Sequence, residues 1–361
     1  MTLQALLGIP LPIIQAPMAG VQASALAVAV SNAGGLGSLP CAMLDRDALR
    51  RELEAVRAQT RQPYNVNFFC HSQPGPSVER EAAWKAALAP YFAEFGIDPG
   101  TIRAGPGRTP FSGEAAELLS EYKPPVVSFH FGLPSADLVA RVRSWGAKIL
   151  SSATTVDEAR WLEAHGVDAI IAQGIEAGGH RGIFLSEDLN TQVGTFALVP
   201  QIVRAVKIPV IAAGGIADAK GVAAAMALGA CGVQVGTAYL LCPEATTSAV
   251  HRAALKSAAA RVTALTNFFT GRPARSIVNR LMRELGPLNA ATPPFPLAAA
   301  AIAPLRAKAE AQGKGDFSPL WAGQNATGCE EIPAGELTRR LAGLLKSAAQ
   351  IDDPPGATAG C

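Results

Sequence analysis

A glycine-rich stretch, IIAQGIEAGGHRGIF, contains one histidine in a position where it could do chemistry. An apolar run at its start ends in Gln173, and the histidine, His180, follows in the glycine-rich part. Imidazole titrates near pH 6.5, so its neighbours decide whether His180 is a cation that holds an anionic substrate or a neutral base. The nearby glycines would let backbone and ring approach a flat ligand closely. The stretch therefore predicts a catalytic histidine on a flexible loop that wraps around a bound molecule.

Two further glycine-rich segments, AAGGIAD and QVGTAY, also follow apolar runs. Backbone N–H groups that no side chain shields, at the start of a helix, bind anions well. In α/β barrels the loops after the seventh and eighth strands commonly hold a phosphate group. The segments therefore predict that Gly214, Gly215, Gly236 and Thr237 hold the phosphate of a cofactor.

A flavin mononucleotide (FMN) fits this pattern better than other nucleotides. No G-x-G-x-x-G opens a helix after the first apolar run, and no G-K-[ST] is present, so neither a Rossmann dinucleotide site nor a triphosphate loop is predicted. Asn67 and Gln173 each end an apolar run and carry both a donor and an acceptor, which the pyrimidine edge of a flavin requires. Met18, in QAPMAG, offers a polarisable floor for the ring.

The elements that must position these residues alternate regularly. Runs rich in Val, Ile and Ala are typical of parallel strands buried on both faces, and the stretches between them have helical patterns that begin near Ser, Thr or Asp and end near glycine. This alternation, repeated eight times, predicts an α/β fold of the (β/α)₈ TIM-barrel class. The predicted strands cover residues 12–20, 34–39, 64–69, 126–130, 147–153, 168–174, 208–215 and 231–237.

Two segments are too long to be simple connections, and we expect both above the mouth of the barrel. Residues 71–123 are predicted to be an insertion within an FMN-binding barrel of residues 1–242. Residues 243–314 are predicted to be a mostly helical cap that binds the substrate. Residues 315–361 are expected to return to the barrel and to finish in a disordered tail, DDPPGATAGC.

Composition excludes several classes of protein. The 361 residues are 49% hydrophobic and 17% charged with a formal net charge of +2, and no basic cluster alternates with aromatics, so no nucleic-acid partner is expected. No unbroken apolar run is long enough for a membrane span, and the first basic residue, Arg46, comes too late for a secretory signal. The six cysteines form no C-x-x-C pair and lack histidines at zinc-ligand spacing, so we expect no metal, and reduced thiols in a cytoplasm.

These motifs together resemble those of the nitronate monooxygenase family, formerly called 2-nitropropane dioxygenases, and above all its bacterial class I members. The resemblance covers nearly the whole chain. QAPMAG and IAAGGIAD also occur in related flavin barrels, whereas SFHFGLP, EAGGHRG and TGRPAR are more specific to the family. The matching segments are QAPMAG, YNVNFF, VSFHFGLP, AQGIEAGGHRG, IAAGGIAD, GVQVGTAYL, FTGRPARSIVNRL and DFSPLWAGQ.

The resemblance implies an FMN-dependent oxygenase that uses dioxygen to convert alkyl nitronates to a carbonyl compound and nitrite. The natural substrate it implies is propionate 3-nitronate, a toxic mimic of succinate, and the implied role is detoxification. His180 matches the catalytic histidine of the family, and His130 of SFHFGLP matches a second histidine of the active site. The positions that match flavin contacts are Met18, Asn67, Gln173, Gly178, Gly215, Gln234, Val235, Gly236 and Thr237.

The sequence departs from the family in the cap. Some class I enzymes line the substrate cavity with tyrosines from this region, but residues 243–314 contain no tyrosine. Phe295 and the alanines after it predict a more apolar or differently shaped substrate pocket. The candidates for a cation that holds a substrate carboxylate are Lys308, Arg306 and Arg272.

Two other functions remain open at this stage. One is an FMN-dependent reductase on the same barrel, which would use NAD(P)H to reduce a quinone or an enoyl thioester. In that case NADH would reduce the flavin without oxygen. The other is a flavin-binding protein without turnover, which would consume no oxygen with any nitronate. No oligomeric state is predicted.

Overall fold

Eight parallel strands form a barrel and confirm the predicted (β/α)₈ fold. The computed structural model describes residues 2–75, 77–103 and 107–343. The strands in these residues are β1 (Ile13–Gln15), β2 (Gly37–Pro40), β3 (Tyr64–Phe69), β4 (Val126–His130), β5 (Lys148–Ala153), β6 (Ala169–Gln173), β7 (Gly179–His180), β8 (Val210–Ala213), β9 (Gly232–Val235), β10 (Thr263–Thr266) and β11 (Ala274–Ile277). The barrel order is β1–β9–β8–β6–β5–β4–β3–β2, so β8 and β9 are its seventh and eighth strands.

The barrel closes between β1 and the chain just before β2. Ile14 and Leu36 form a parallel bridge, and the Gln15 N–H donates to the Leu36 carbonyl at 2.9 Å. Strand β1 is shorter than predicted, because Pro17 has no N–H with which to continue the ladder after Ala16. The chain after Ala16 is thereby released from the sheet and turns across the barrel mouth.

Helices surround the barrel and complete the βα alternation. Adjacent packing runs from α2 through α3 and α5 to α6, from α7 to α8, and from α9 through α13 back to α2. Helix α13 therefore takes the place after the eighth strand, although the chain between them is long. The helices are α1 (Leu3–Leu7), α2 (Ser24–Asn32), α3 (Arg46–Gln59), α4 (Val78–Glu94), α5 (Gly113–Tyr122), α6 (Ala136–Arg143), α7 (Val156–Ala164), α8 (Thr195–Ala205), α9 (Ala219–Ala227), α10 (Ala249–Leu255), α11 (Arg280–Glu284), α12 (Ala299–Glu310) and α13 (Ala334–Leu341), with 3₁₀ turns at Pro99–Thr101, Leu189–Thr191, Thr237–Leu241 and Ala258–Arg261.

A layer of buried polar side chains crosses the barrel below its mouth. The Asn65 side-chain amide donates to the Ser38 hydroxyl at 3.0 Å and to the Ser128 hydroxyl at 2.8 Å. The Ser128 hydroxyl also accepts from the Asn67 amide at 2.9 Å. Because buried polar groups are stable only when hydrogen-bonded, this network fixes the Asn67 side chain at the mouth.

The two long segments pack against each other to form a second core. Trp84 and Leu88 of α4 and Leu305 of α12 are buried in one cluster with Phe268 and Phe317. The indole N–H of Trp84 donates to the Ala298 carbonyl at 3.4 Å. Helix α4 of the first segment and residues 243–314 therefore form one layer of structure, which we call the cap.

Besides its helices, the cap contributes two strands that were not predicted. Strands β10 and β11 pair antiparallel, and β11 pairs with β7, so that Ala274 lies opposite His180. The segment around His180, expected to be a flexible loop, is thus held in a three-stranded sheet. The partner strand comes far later in the chain, so no local pattern reveals the pairing.

The tail predicted to be disordered lies outside the described residues. Within the part of the chain that the structure describes, no helix has the length and hydropathy needed to span a membrane.

Truncating Leu305 should destabilise the protein through the cap core. Leu305 is fully buried, so Leu305→Ala removes packed apolar volume and should lower the free energy of unfolding by about 2–5 kcal/mol. Leu288→Ala is the matched control, because Leu288 is 44% exposed and should change it by less than about 1 kcal/mol. Urea unfolding followed by circular dichroism measures both. Equal losses in the two variants would show that the cap core contributes little.

Candidate active site

A cleft lies at the carboxyl ends of the barrel strands, under the cap. It is lined by backbone and side chains from the ends of β3, β4, β6, β8 and β9, as expected for this fold. The structure brings together in this cleft the predicted residues Met18, Asn67, His130, Gln173, Gly178, His180, Gly214, Gly215, Gln234, Gly236 and Thr237.

Five predicted residues do not line the cleft. The Val235 side chain is buried in the core between strands and helices. Phe295 is buried behind the cleft wall, with its ring centroid 5.4 Å from that of His180. Lys308 and Arg306 lie on the outside of the cap, where Lys308 Nζ donates to the Phe95 carbonyl at 3.0 Å and Arg306 pairs with Glu310.

Arg272 also lies outside the cleft lining, although it is close by. Its guanidinium carbon is 4.0 Å from the centroid of the Phe131 ring, and Nη2 donates to the Ile183 carbonyl. These contacts hold it against the loop that follows His180. The structure therefore does not place Arg272 in direct reach of a ligand in the cleft.

One end of the cleft is built from backbone. Gly214 (φ +115°) and Gly215 (φ +73°) have left-handed conformations that side-chain-bearing residues rarely adopt. A Cβ atom on Gly214 would lie 2.9 Å from Thr195 Oγ1. The Asn325 amide donates to the Gly215 carbonyl at 3.0 Å, which fixes the turn. This end offers backbone groups and little steric bulk, which suits a phosphate.

The middle of the cleft carries side-chain amides. Asn67 uses its amide hydrogens on Ser128, which leaves its oxygen as the free acceptor. Gln234 Oε1 is buried and has no hydrogen-bond partner among the described residues. A buried acceptor without a donor is costly, so a ligand with N–H groups would satisfy it.

His180 is hydrogen-bonded on one side of its ring only. Its Nε2 lies 2.9 Å from the Thr270 hydroxyl, and Nδ1 makes no hydrogen bond with a described residue. Burial lowers the pKa of His180 well below its ordinary value, and the positive charge of Arg108 lowers it further. Of the two states that the sequence leaves open, burial therefore favours the neutral imidazole over the imidazolium.

The backbone carbonyl of His180 is held by two side chains of the barrel. It accepts from the Gln173 amide at 3.0 Å and from His130 Nε2 at 3.2 Å, while the Gly182 N–H donates to the Gln173 oxygen at 2.8 Å. His130 Nδ1 lies 3.0 Å from the Ser152 hydroxyl, so both of its ring nitrogens are occupied. Burial lowers the pKa of His130 to about 3. His130 and Gln173 thus position His180.

Several residues of the cleft were not predicted. Trp321 and Asn325 lie in or just after the segment DFSPLWAGQ, which was matched to the family without roles for single residues. Ser152 is the second-last residue of β5 and a small polar residue without a distinctive pattern. Arg108 lies in the long 71–123 segment, where no periodicity marks it. Thr270, the partner of His180, follows two phenylalanines that suggest only a core.

The cleft is free of acidic side chains along its described lining, and Arg108 is the only residue there with a formal charge. No group of three or more potential metal ligands occurs within the described ranges. The arrangement suits an anionic ligand beside a neutral histidine.

Comparison with known proteins identifies the family. The sequence pattern of the family described as nitronate monooxygenase matches residues 1–343. The chain belongs to the nitronate monooxygenase family. This is a family of flavin-dependent oxidoreductases, so the chain is an enzyme of that class.

One curated relative and two solved structures match this chain over nearly its whole length. A nitronate monooxygenase from Paraburkholderia phytofirmans is 45% identical over 345 residues, which cover 94% of each chain. The solved structure of a nitroalkane oxidase from Streptomyces ansochromogenes has 40% identity and a TM-score of 0.87, and the match covers 97% of this chain and 99% of that one. FabK from Thermotoga maritima has 29% identity and a TM-score of 0.72, over 97% and 98% of the two chains.

The protonation state of His180 can be tested directly. Because burial lowers its pKa, its ring nitrogens should keep the NMR pattern of neutral imidazole down to about pH 5.5, where a histidine with the ordinary pKa of about 6.5 is mostly charged. Spectra of ¹⁵N-histidine-labelled protein measure this state, and His180→Asn assigns the signal. A midpoint near pH 6.5 would show that the ring is solvated rather than buried.

Proposed function

We propose that the chain catalyses the FMN-dependent oxidation of alkyl nitronates by dioxygen to a carbonyl compound and nitrite. The observation that carries the proposal is the cleft itself, which is lined by neutral His180 and by the backbone turn of Gly214 and Gly215 and has no acidic residue in its described lining. A nitronate is an anion, so carboxylates in the lining would repel it. The relatives named for nitronates and nitroalkanes support the same reaction.

The described residues fit FMN at both ends. Gly214, Gly215 and Thr237 would hold the phosphate, because they line one end of the cleft and the positive φ of both glycines forms a tight backbone turn there. Asn67 and Gln234 would face the pyrimidine edge of the ring, since each keeps an oxygen free to accept an N–H. The two ends lie in one cleft, and Met18 lines it between them.

Each residue of the site then has a limited task. The bound flavin supplies the electron chemistry with dioxygen. His180 orients the substrate through Nδ1, which can donate to a nitronate oxygen or accept a proton from a neutral nitroalkane, depending on the tautomer that Thr270 selects. His130 and Gln173 keep that ring in place through its backbone carbonyl. The cap shields the reacting centre from water.

We also propose propionate 3-nitronate as the natural substrate, with detoxification as the role, in a cytoplasm. Under this proposal residues 243–314 bind the substrate and the barrel within 1–242 binds FMN. Phe295 would influence substrate size from behind the cleft wall, since its ring is next to those of His180 and His71.

Removing the His180 ring should spare the flavin and cripple turnover. His180→Ala should purify yellow and consume oxygen with a preformed alkyl nitronate about 10²–10⁴-fold more slowly, as for other positioned catalytic groups. His180→Asn should lose less, because a neutral ring acts through hydrogen bonds that an amide partly replaces. His165→Asn is the control, since His165 is exposed on the barrel exterior. If His180→Ala keeps nearly the parent rate, this role is wrong.

A negative charge in the cradle should exclude the cofactor. Gly215→Asp places a carboxylate where the phosphate would lie and should give folded but largely colourless protein. Gly146→Asp is the matched control, because Gly146 also has a positive φ (+86°) but no atoms near its Cβ position. Flavin released by denaturation, quantified per chain and identified as FMN, measures the effect. Normal occupancy in Gly215→Asp would place the phosphate elsewhere.

Two outcomes would favour the other functions. Rapid bleaching of the flavin by NADH without oxygen, with no nitronate-dependent oxygen uptake, would favour the NAD(P)H reductase. Bound flavin with neither reaction would favour the binding protein without turnover.

A further inference from the structure

Arg108 lines the cleft at the end where His180 lies. Its backbone is fixed, because its carbonyl accepts from His71 Nε2 at 2.9 Å and from the Gln73 amide at 2.8 Å. A carbonyl oxygen can only accept, so the hydrogen of His71 is on Nε2. The two bonds anchor the segment just before α5, so that the Arg108 side chain extends from a defined position.

The guanidinium group of Arg108 lacks an anionic partner among the described residues. It forms no ion pair or hydrogen bond with them, and its Nη1 is buried. Burial lowers its pKa to about 10, so it is still charged at pH 7. A buried cation is costly unless an anion or hydrogen-bond acceptors offset the lost hydration.

Two other arginines lie close to the cleft without lining it. Arg181 donates to the Gln173 and Gly174 carbonyls and to Gln192. Arg272 Nη2 donates to the Ile183 carbonyl, and its Nε is buried without a hydrogen-bond partner among the described residues.

Arg108 and His180 border the same two aromatic rings. The guanidinium carbon is 5.4 Å from the centroid of Phe295 and 6.0 Å from that of Phe69. The His180 ring lies at 5.4 Å and 6.0 Å from the same two centroids. Arg108, His180 and Phe69 all line the cleft, so a ligand that lies along Phe69 could contact His180 with one end and Arg108 with the other.

We propose that Arg108 determines substrate specificity by binding a carboxylate at the far end of the nitronate. This inference rests on the proposed function and adds the residue that recognises the second anionic group. A guanidinium presents two parallel N–H groups to a carboxylate, and the missing partner of Nη1 is then supplied by the substrate. Lys308 and Arg306 are excluded from this role by their place on the outside of the cap.

The test compares two nitronates that differ in one group. Propionate 3-nitronate carries the carboxylate, and propyl-1-nitronate has a methyl group in its place. Arg108→Met should lower kcat/KM for propionate 3-nitronate by about 10²-fold, mainly through KM, and for propyl-1-nitronate by no more than about fivefold. The kcat/KM of Arg108→Lys for propionate 3-nitronate should lie between those of parent and Arg108→Met, because lysine keeps the charge but not the two parallel N–H groups.

Lys308→Met provides the matched control, because it removes a cation from the outside of the cap. It should change the ratio of the two kcat/KM values by less than about twofold. A loss of the preference in Lys308→Met, or an equal loss for both nitronates in Arg108→Met, would overturn the proposal.

Binding of succinate separates this inference from the proposed function. Succinate has a carboxylate at each end and is not a nitronate, so its binding to the flavin-loaded protein by calorimetry does not depend on turnover. Arg108→Met should weaken succinate binding at least about tenfold relative to parent and to Lys308→Met. If parent and Arg108→Met bind succinate equally, Arg108 does not recognise the carboxylate. If the parent oxidises no nitronate but shows this difference, the reaction is wrong and the anion site stands.

Discussion

The backbone carbonyl of His180 joins the two halves of the molecule. On the barrel side it accepts from His130 on β4 and Gln173 on β6. On the cap side, the strand that contains His180 pairs with β11. A side chain on a glycine-rich loop would otherwise sample many positions, which would weaken any catalytic hydrogen bond. The site therefore depends on a short piece of sheet whose position both halves fix.

The charged side chain that lines the cleft and two close behind it are positive. Arg108 lines it, and Arg181 and Arg272 lie close behind, whereas the described lining contains no carboxylate. Burial and these positive charges together keep His130 and His180 neutral. The charge that favours an anionic ligand thus comes from arginines, which do not lose their protons, while the histidines keep lone pairs for hydrogen bonding. Under the proposed function, arginines would attract the ligand, and the neutral histidines would make the hydrogen bonds.

The sequence predicts those parts of the structure that local chemistry determines. Apolar runs identify the barrel strands, and glycines 214 and 215 mark a turn that requires left-handed backbone. Features that depend on distant partners are not predictable in this way. The pairing of β7 with β11, the capture of His130 by a backbone carbonyl, and the cleft position of Arg108 each need a partner from another segment. Arg108 is the clearest case, since residues His71 and Gln73 fix it and no motif surrounds it.

The place of α13 in the ring has a consequence for the order of synthesis. In the described part of the chain, α13 fills the gap between α9 and α2, and the cleft wall that contains Trp321 and Asn325 is made shortly before it. A ribosome that has completed all eight barrel strands has therefore made neither the last helix of the ring nor the last wall of the cleft. A barrel without this stretch would leave open the apolar groove that Leu337 and Leu341 cover. Closure of the helix ring and completion of the cleft wall thus depend on the same late stretch of chain.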